Sequence, residues 1–277
     1  MIDLHVHSTA SDGSETPGAV VRLAAAGGLR AIALTDHDTQ SGIAEARIEA
    51  SRTGVELIPG TELSLEWAQG AMHLVVLFLE PGPGPLQDRL AGLRKGRSER
   101  NDRIVARLLE LGLPISQEEI LELAGGESVG RPHIAAVMVN RGYVVSIADA
   151  FDRFLGRGMP AYMARPRLSP EEAISLARQS NAVPILAHPH TLSLNNSQEV
   201  TTTLQRLSKA GLIGVECYYP LYSPFEREGY VALAERFGLK PSGGSDYHGT
   251  YKPDVELGTG RGNLAVADEV LDALRPI

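Results

Sequence analysis

Short apolar runs recur along this chain, and several are followed by an Ala- or Leu-rich stretch with helical spacing, an alternation that leaves few folds open. Strands are predicted over residues 2–5, 31–35, 56–59, 73–79, 182–187, 214–218 and 240–242. Helices are predicted over 19–26, 43–51, 170–179 and 232–237. Thr16-Pro17 opens the first helix as N-cap and N1, and Ser169-Pro170-Glu171-Glu172 opens another with acids in its first turn. Strand, helix, strand repeated in this way predicts an α/β fold built on a parallel sheet or barrel, with functional residues where strands end and loops begin.

Residues 81–167 break the rhythm. They open on Pro81-Gly82-Pro83-Gly84-Pro85 and continue with helically spaced apolar residues such as Leu90, Leu93, Ile104, Leu108 and Ile120. The expectation is a small helical insertion (81–167) between two parts of one α/β domain, 1–80 and 168–277. The formal net charge of −8 excludes attraction to nucleic acid over the whole surface, so duplex DNA is not an expected partner. An anionic substrate then requires local positive charge from metals or arginines. The single cysteine, Cys217, excludes an internal disulfide framework and fits a reducing compartment. No apolar run reaches about 18 residues, and the N-terminus has no basic region followed by an apolar stretch. The expected location is the cytoplasm, away from any membrane. The oligomeric state stays open.

The polar residues at the strand ends carry the chemistry. In an extended segment His5 and His7 point the same way and can grip one ion together, with Asp12 close behind. Thr35-Asp36-His37 leaves the second strand, and Gly60-Thr61-Glu62 sets a carboxylate just past the third. His73 starts the fourth, His188-Pro189-His190 follows the fifth, and Gly244-Ser245-Asp246-Tyr247-His248 follows the last. Each has an ordinary explanation alone, as a capping turn, a solvated loop acid or a core histidine. Together they direct nitrogen and oxygen donors to one face, which fits Mn, Fe, Zn or Mg rather than a thiolate zinc site.

The ordered set His5-x-His7, Asp12-Gly13, Thr35-Asp36-His37, Gly60-x-Glu62, His73, Ala187-His188-Pro189 and Ser245-Asp246-x-His248 resembles the polymerase-and-histidinol-phosphatase (PHP) superfamily. The resemblance spans residue 2 to about 250. It implies a distorted seven-stranded (β/α) barrel with a trinuclear metal site, in agreement with the seven predicted strands. Asp12 and the helical insertion, with Gly96-Arg97-x-x-Arg100 and Gly130-Arg131-Pro132-His133, make the chain most similar to a subgroup of small bacterial phosphoesterases. That subgroup acts on nucleoside 3',5'-bisphosphates or trims 5'-phosphorylated short RNA. By this resemblance one metal takes His5, His7, Glu62 and Asp246. A second takes Asp12, His37 and His248, and a third shares Glu62 and adds His73 and His188. His190 departs from the pattern of the relatives and is either a substitute ligand or a loop histidine, the latter being favoured; it or a metal-bound water is expected to protonate the leaving alkoxide.

Three divalent ions bring a charge of about +6, and three carboxylates with a bound hydroxide leave about +2, which complements a phosphate dianion. The expectation is a metal-dependent phosphoesterase acting through a metal-activated hydroxide, manganese being the foremost candidate metal. Asp36 is expected to orient His37 or accept a proton. Arg97, Arg100 and Asn101 share a helix face by their spacing and, with Arg131 and His133, are expected to bind substrate phosphate. The substrate is then a small phosphorylated molecule, a nucleotide or short RNA. Other readings are a phosphatase for histidinol phosphate or phosphotyrosine, a polymerase proofreading module, and a metal-stabilised module without catalysis.

Overall fold

Seven strands form one sheet in chain order: β1 (Ile2–Val6), β2 (Ala31–Leu34), β3 (Glu56–Leu65), β4 (Met72–Leu77), β5 (Val183–Leu186), β6 (Gly214–Tyr218) and β7 (Lys240–Gly243). The computed structural model describes residues 1–124 and 129–276. β1, β2 and β3 run parallel, β4 runs antiparallel to both its neighbours, and β5, β6 and β7 are again parallel. The sheet curls until the chain beyond β7 meets β1. Asp246 N–H donates to the His5 carbonyl at 2.9 Å and His7 N–H to the Tyr247 carbonyl at 3.0 Å. The result is a distorted seven-stranded α/β barrel.

Two expectations are corrected here. β3 does not end at Pro59 but continues to Leu65, so Glu62 sits within a strand. The sheet is also mixed rather than parallel. Leu65 and Met72 are joined by a short connection with no helix, and a parallel pairing needs a crossover of a dozen residues or more. The antiparallel β4 brings its first residues, including His73, to the rim where the parallel strands end.

Helices cover the outside. α1 (Pro17–Ala26) and α2 (Ile43–Thr53) pack Val20, Val21, Ala24, Ile43 and Ala46 against Val6, Ile32 and Leu34. Inside the barrel lie the alternate residues Ala31, Ala33, Val75, Leu77, Val183 and Ile185, together with Ile2 and Leu4. The alternation of β2 between inner alanines and outer Ile32 and Leu34 is the period of two expected of a strand buried on both faces.

α3 (Pro85–Glu110), α4 (Gln117–Ala124), α5 (Arg131–Asn140) and α6 (Ile147–Ala150) stand between β4 and β5 in the chain. α3 serves two cores. Leu86, Leu90 and Leu93 pack with Leu63, Leu74 and Leu168 of the barrel, each contributing about 1.5–3 kcal/mol. Ile104 and Leu108 join Ile120, Ile134 and Met138 in a separate cluster. α7 (Pro170–Gln179), α8 (Ser197–Lys209), α9 (Pro224–Arg236) and α10 (Asp268–Leu274) complete the chain. The α9 expectation began too late, because Ser223 and Glu226 form a capping box that starts the helix at Pro224. No helix among the described residues is long and apolar enough to cross a membrane.

Cys217 lies on β6 with no exposed surface, and burial pushes its thiol up to about 12. A thiol reagent at mildly alkaline pH is expected to leave the native protein unmodified and to react once guanidinium chloride unfolds it. Rapid labelling of native protein would contradict this packing.

Candidate metal centre

The rim where β1, β2, β5 and β7 end gathers seven histidines and acids from separate segments, and β3 and β4 add Glu62 and His73. Glu62 is the hub. Its Oε2 lies 3.3 Å from His5 Nε2, 3.2 Å from His7 Nε2 and 3.3 Å from His37 Nδ1. Its Oε1 lies 2.9 Å from His73 Nδ1 and 3.0 Å from His188 Nε2. Asp246 Oδ1 stands 3.6 Å from His5 Nε2 and 3.4 Å from His7 Nε2. Asp12 faces His37 Nε2 at 3.7 Å and His248 Nε2 at 3.5 Å. All nine expected metal ligands therefore meet here, and all but His73 are buried. Donor atoms within 4.8 Å of one another form three groups: His7, Asp12, His37 and His248; His5, Glu62 and His188; and His5, His7 and Asp246.

The ring orientations test whether cations fit. His5 Nδ1 donates to Glu216 Oε1 at 2.8 Å, which leaves the Nε2 lone pair facing Glu62 and Asp246. His248 Nδ1 donates to the Asp246 carbonyl at 2.8 Å, and His37 Nδ1 to the Glu62 carbonyl at 3.4 Å. His188 Nδ1 donates to Thr191 Oγ1 at 3.1 Å, because that hydroxyl's own hydrogen goes to the Ala71 carbonyl at 2.9 Å. Four imidazoles thus turn their second nitrogen to carboxylate oxygens, an arrangement that is repulsive unless a proton or a metal cation lies between them. Ligands about 2.1 Å from one ion sit roughly 3.0–3.4 Å from each other, close to the observed spacings. The donor set fits divalent metal.

Titration follows the same geometry. Burial favours the neutral forms, yet neighbouring imidazoles hold Asp12 and Glu62 well below the ordinary carboxylate range, and the Lys252 ammonium, with His5 and His248, does the same for Asp246. Burial opposes charge on His7 as well, and Asp246 and Glu62 outweigh it to raise His7 to about 9. Burial, only partly offset by Asp12 and Glu62, drives His37 down to about 3.

Several supports were not expected from the sequence. Glu216, a lone acid in the buried strand β6, receives His5 Nδ1 and the His188 N–H, the latter at 2.5 Å. A buried acid between Val215 and Cys217 was the available signal. Tyr219 donates to Asp246 Oδ2 at 2.8 Å and Lys252 Nζ to the same oxygen at 2.5 Å, which leaves Oδ1 to the histidines. Asp36 has both oxygens committed, to the Ser8 N–H and hydroxyl and to Ser11 Oγ. Ser11 Oγ in turn lies 3.4 Å from His7 Nδ1, so the carboxylate orients the ligand loop through a serine. Gly244 has no room for a side chain, since a Cβ would stand 2.5 Å from His5 N, and this lets Asp246 come against β1. Asp38, His188 and Asp246 have φ of 56°, 24° and 56°, a strain of roughly 1–3 kcal/mol each concentrated at the site.

Beside the cluster lie the arginines. Arg97 does not stand free as a phosphate ligand: its Nε and Nη2 both donate to Asp38 Oδ2, at 3.2 and 2.6 Å. Arg165 Nη2 shares that oxygen at 2.7 Å. Arg100 Nε donates to Asn101 Oδ1 at 2.9 Å, and its buried Nη2 has no partner among the described residues. Asn101 Nδ2 donates to the Val129 carbonyl. Arg131 Nη1 donates to the Leu155 carbonyl at 2.9 Å, with its guanidinium over Phe151 and Tyr162. His133 Nδ1 accepts the Gly130 N–H at 3.1 Å, so its proton sits on the buried Nε2, which also lacks a partner among the described residues. Burial and the cations of Arg97, Arg131, Arg165 and Arg167 push Arg100 well below the usual guanidinium value. His190 lies at the rim, its Nδ1 3.1 Å from Tyr222 Oη and its ring 5.2 Å from that of Tyr219. The space over the ligands, bordered by His73, His188, Tyr219 and Lys252, is 200 Å³. A larger cleft of 760 Å³ runs along α3 beside the cluster, away from the ligand atoms.

Residues 3–93 match the PHP domain. Over 258 residues the chain is 35% identical to the 5'-3' exoribonuclease Rnm of Escherichia coli, covering 92% of this chain and 87% of that protein. Over 252 residues it is 32% identical to the 3',5'-nucleoside bisphosphate phosphatase of Chromobacterium violaceum, covering 89% of this chain and 87% of that one. A solved structure from Bifidobacterium adolescentis, described as a metal-dependent phosphoesterase, superposes with a TM-score of 0.87 at 30% identity, over 99% of this chain and 94% of its own. Barrel, donor cluster and relatives together define a metal-dependent phosphoesterase, a hydrolase. The chain belongs to the PHP family.

Glu216 carries no metal itself, yet it fixes the direction of His5 and the backbone at His188. Glu216→Gln is expected to weaken manganese binding by about 10- to 100-fold, measured by calorimetry, without loss of the folded circular dichroism spectrum. Unchanged affinity would remove Glu216 from the account of the site.

Proposed function

We propose that this protein hydrolyses phosphate esters of nucleotides that carry a second phosphate, namely nucleoside 3',5'-bisphosphates, the 5'-phosphorylated end of short RNA, or both. The observation that carries the reading is the buried Arg100 Nη2, without a partner among the described residues, in a group of five neighbouring guanidiniums of which Arg97 and Arg165 share the Asp38 carboxylate. Such a charge excess beside a ligand cluster calls for a second anion on the same substrate.

Three divalent ions, manganese foremost, are assigned to the nine clustered ligands: His5, His7, Asp12, His37, Glu62, His73, His188, Asp246 and His248. When bound, they would acidify water toward neutral pH and offset the charge of the reacting phosphate. The remaining work falls to the chain. Asp36 and Glu216 hold the imidazoles in their donor directions, and the buried walls limit water around the reacting group. Residues 81–167 supply specificity, with Arg100, Arg131 and the Nε2–H of His133 as donors to the second phosphate. Arg97 and Asn101 keep that set in position through Asp38 and Arg100. At the rim, His190, which burial and then the neighbouring His188 lower to about 4, is assigned to relay to the leaving oxygen a proton from a water that the metals would hold.

A substrate panel tests this reading on manganese-loaded protein: adenosine 3',5'-bisphosphate, a 5'-phosphorylated short RNA and an aryl phosphate. Glu62→Ala is expected to abolish turnover of all three. Arg100→Ala is expected to lower kcat/KM for the bisphosphate about tenfold to a hundredfold, as suits loss of one charged hydrogen bond, with little change for the aryl phosphate. Equal loss on both substrates would sink the second-phosphate assignment.

His190 makes a separate prediction. A nucleoside leaving group needs a proton, whereas an aryl oxide leaves without one. His190→Gln should therefore slow the bisphosphate by about 10²-fold or more and spare the aryl ester; equal rates on both would show His190 to be a rim residue without a catalytic task.

A further inference from the structure

The arginines beside the cluster also border a second recess. Between the turn after β3 and the segment leading into α7 lies a cleft of 510 Å³, lined by Trp67, Tyr162, Arg157, Arg165, Arg167 and Arg206. Arg165 is 9% exposed, and its Nη1 is buried with no partner among the described residues. Arg167 Nε is buried and unpartnered in the same way, and its Nη1 reaches only the Leu65 carbonyl at 3.4 Å.

Trp67, the only tryptophan of the chain, is held in place from two sides. Its Nε1–H donates to the Leu192 carbonyl at 3.0 Å, and Arg157 Nη1 donates to the Trp67 and Ala68 carbonyls at 3.0 and 2.7 Å. The Arg206 guanidinium lies 5.6 Å from the indole ring. Glu66 and Glu171 also border the cleft. Arg206 Nε stands 3.2 Å from Glu171 Oε1, but both side chains are half exposed, and such pairs contribute at most about 1 kcal/mol. A phosphate can displace that partner at little cost. On the far side of the Trp67–Arg206 pair the surface continues into a further recess of 440 Å³.

A fixed aromatic surface, half-exposed and buried guanidiniums, and two donors without acceptors among the described residues form the combination that grips one unit of a nucleic-acid strand. The anionic linkage meets the guanidiniums, and the base meets the ring. Arg165 joins this cleft to the catalytic rim, because its other nitrogen holds Asp38 immediately after the ligand His37.

We propose that the cleft is a second nucleotide subsite, which receives the next phosphodiester and base of a single-stranded oligonucleotide whose reacting phosphate lies at the metal centre. The inference rests on the reading of that centre as a nucleotide phosphoesterase. No bond is made or broken in the cleft. A nucleoside bisphosphate ends before reaching it, whereas a strand fills it, so the cleft favours strands of two or more nucleotides.

Trp67 provides the readout, since its emission is the only tryptophan signal in the chain. The metal-loaded protein is titrated with a 5'-phosphorylated trinucleotide whose linkages resist hydrolysis, and in parallel with adenosine 3',5'-bisphosphate. The trinucleotide is expected to change Trp67 emission saturably, and the bisphosphate to leave it unchanged. Arg206→Ala is expected to weaken trinucleotide binding about fivefold to tenfold. It should lower kcat/KM on a cleavable trinucleotide, relative to an aryl phosphate, by a similar factor. Unchanged emission on saturation with trinucleotide, or wild-type affinity in Arg206→Ala, overturns the proposal. A saturable Trp67 response in a protein that hydrolyses no nucleotide supports the cleft and overturns the functional reading instead.

Discussion

One carboxylate surrounded by five imidazoles organises this molecule. Glu62 reaches His5, His7 and His37 with one oxygen and His73 and His188 with the other. Bare, such a centre is an electrostatic problem, because neutral imidazoles present lone pairs to a carboxylate and charged ones repel one another. Bound divalent cations would relieve both conflicts at once, and the backbone strain at Asp38, His188 and Asp246 sits beside the same centre.

The barrel gathers the candidate ligands from strands of both directions. Parallel strands bring His7, His37, His188, Asp246 and His248 to one rim at their C-terminal ends. The antiparallel β4 brings His73 to the same rim at its N-terminal end. β3 overruns its partner β2, and the parallel bridge between His37 and Glu62 carries the hub carboxylate out to meet the loops. Glu216 and Asp3 fasten this rim from inside. Asp3 Oδ1 accepts the Ser245 N–H and its Oδ2 the Gly258 N–H, which ties β1 to the segment after β7.

Charge is then sorted around the centre. Carboxylates and imidazoles occupy the rim, while guanidiniums from α3, α5 and the segment before α7 gather on one side of it. Asp38 is the joint. It directly follows His37, and its Oδ2 ties Arg97 and Arg165 together, with Arg97 and Arg165 holding it down to about 2 against the effect of burial. A chain with a net charge of −8 thus gathers several guanidiniums on one side of the carboxylate and imidazole cluster.

The alternation of short strand-like runs and helical stretches determined the α/β class and located all seven strands; burial on both faces leaves an unbroken apolar signature in β2 and β5, while β1 and β7 carry polar residues within the strand. The pairing of His5 with His7, the gathering of donors at strand ends and the family itself were legible for a related reason: metal chemistry restricts which side chains can stand there. Other features left no such mark. The direction of β4 follows from a short connection whose geometry no periodicity records. The extra length of β3 arose from its pairing with β4, so Glu62 read as a loop residue. Asp38, Arg165, Arg167 and Glu216 act through partners distant in the chain, and a spacing rule cannot see a partner 127 residues away. Arg97 and Arg100 looked alike on one helix face, yet only the tertiary fold, by bringing Asp38 to one of them, decided which guanidinium is tied and which keeps a nitrogen without a partner among the described residues. Local pattern governs what each residue is able to do, and long-range convergence governs which of them remains unsatisfied.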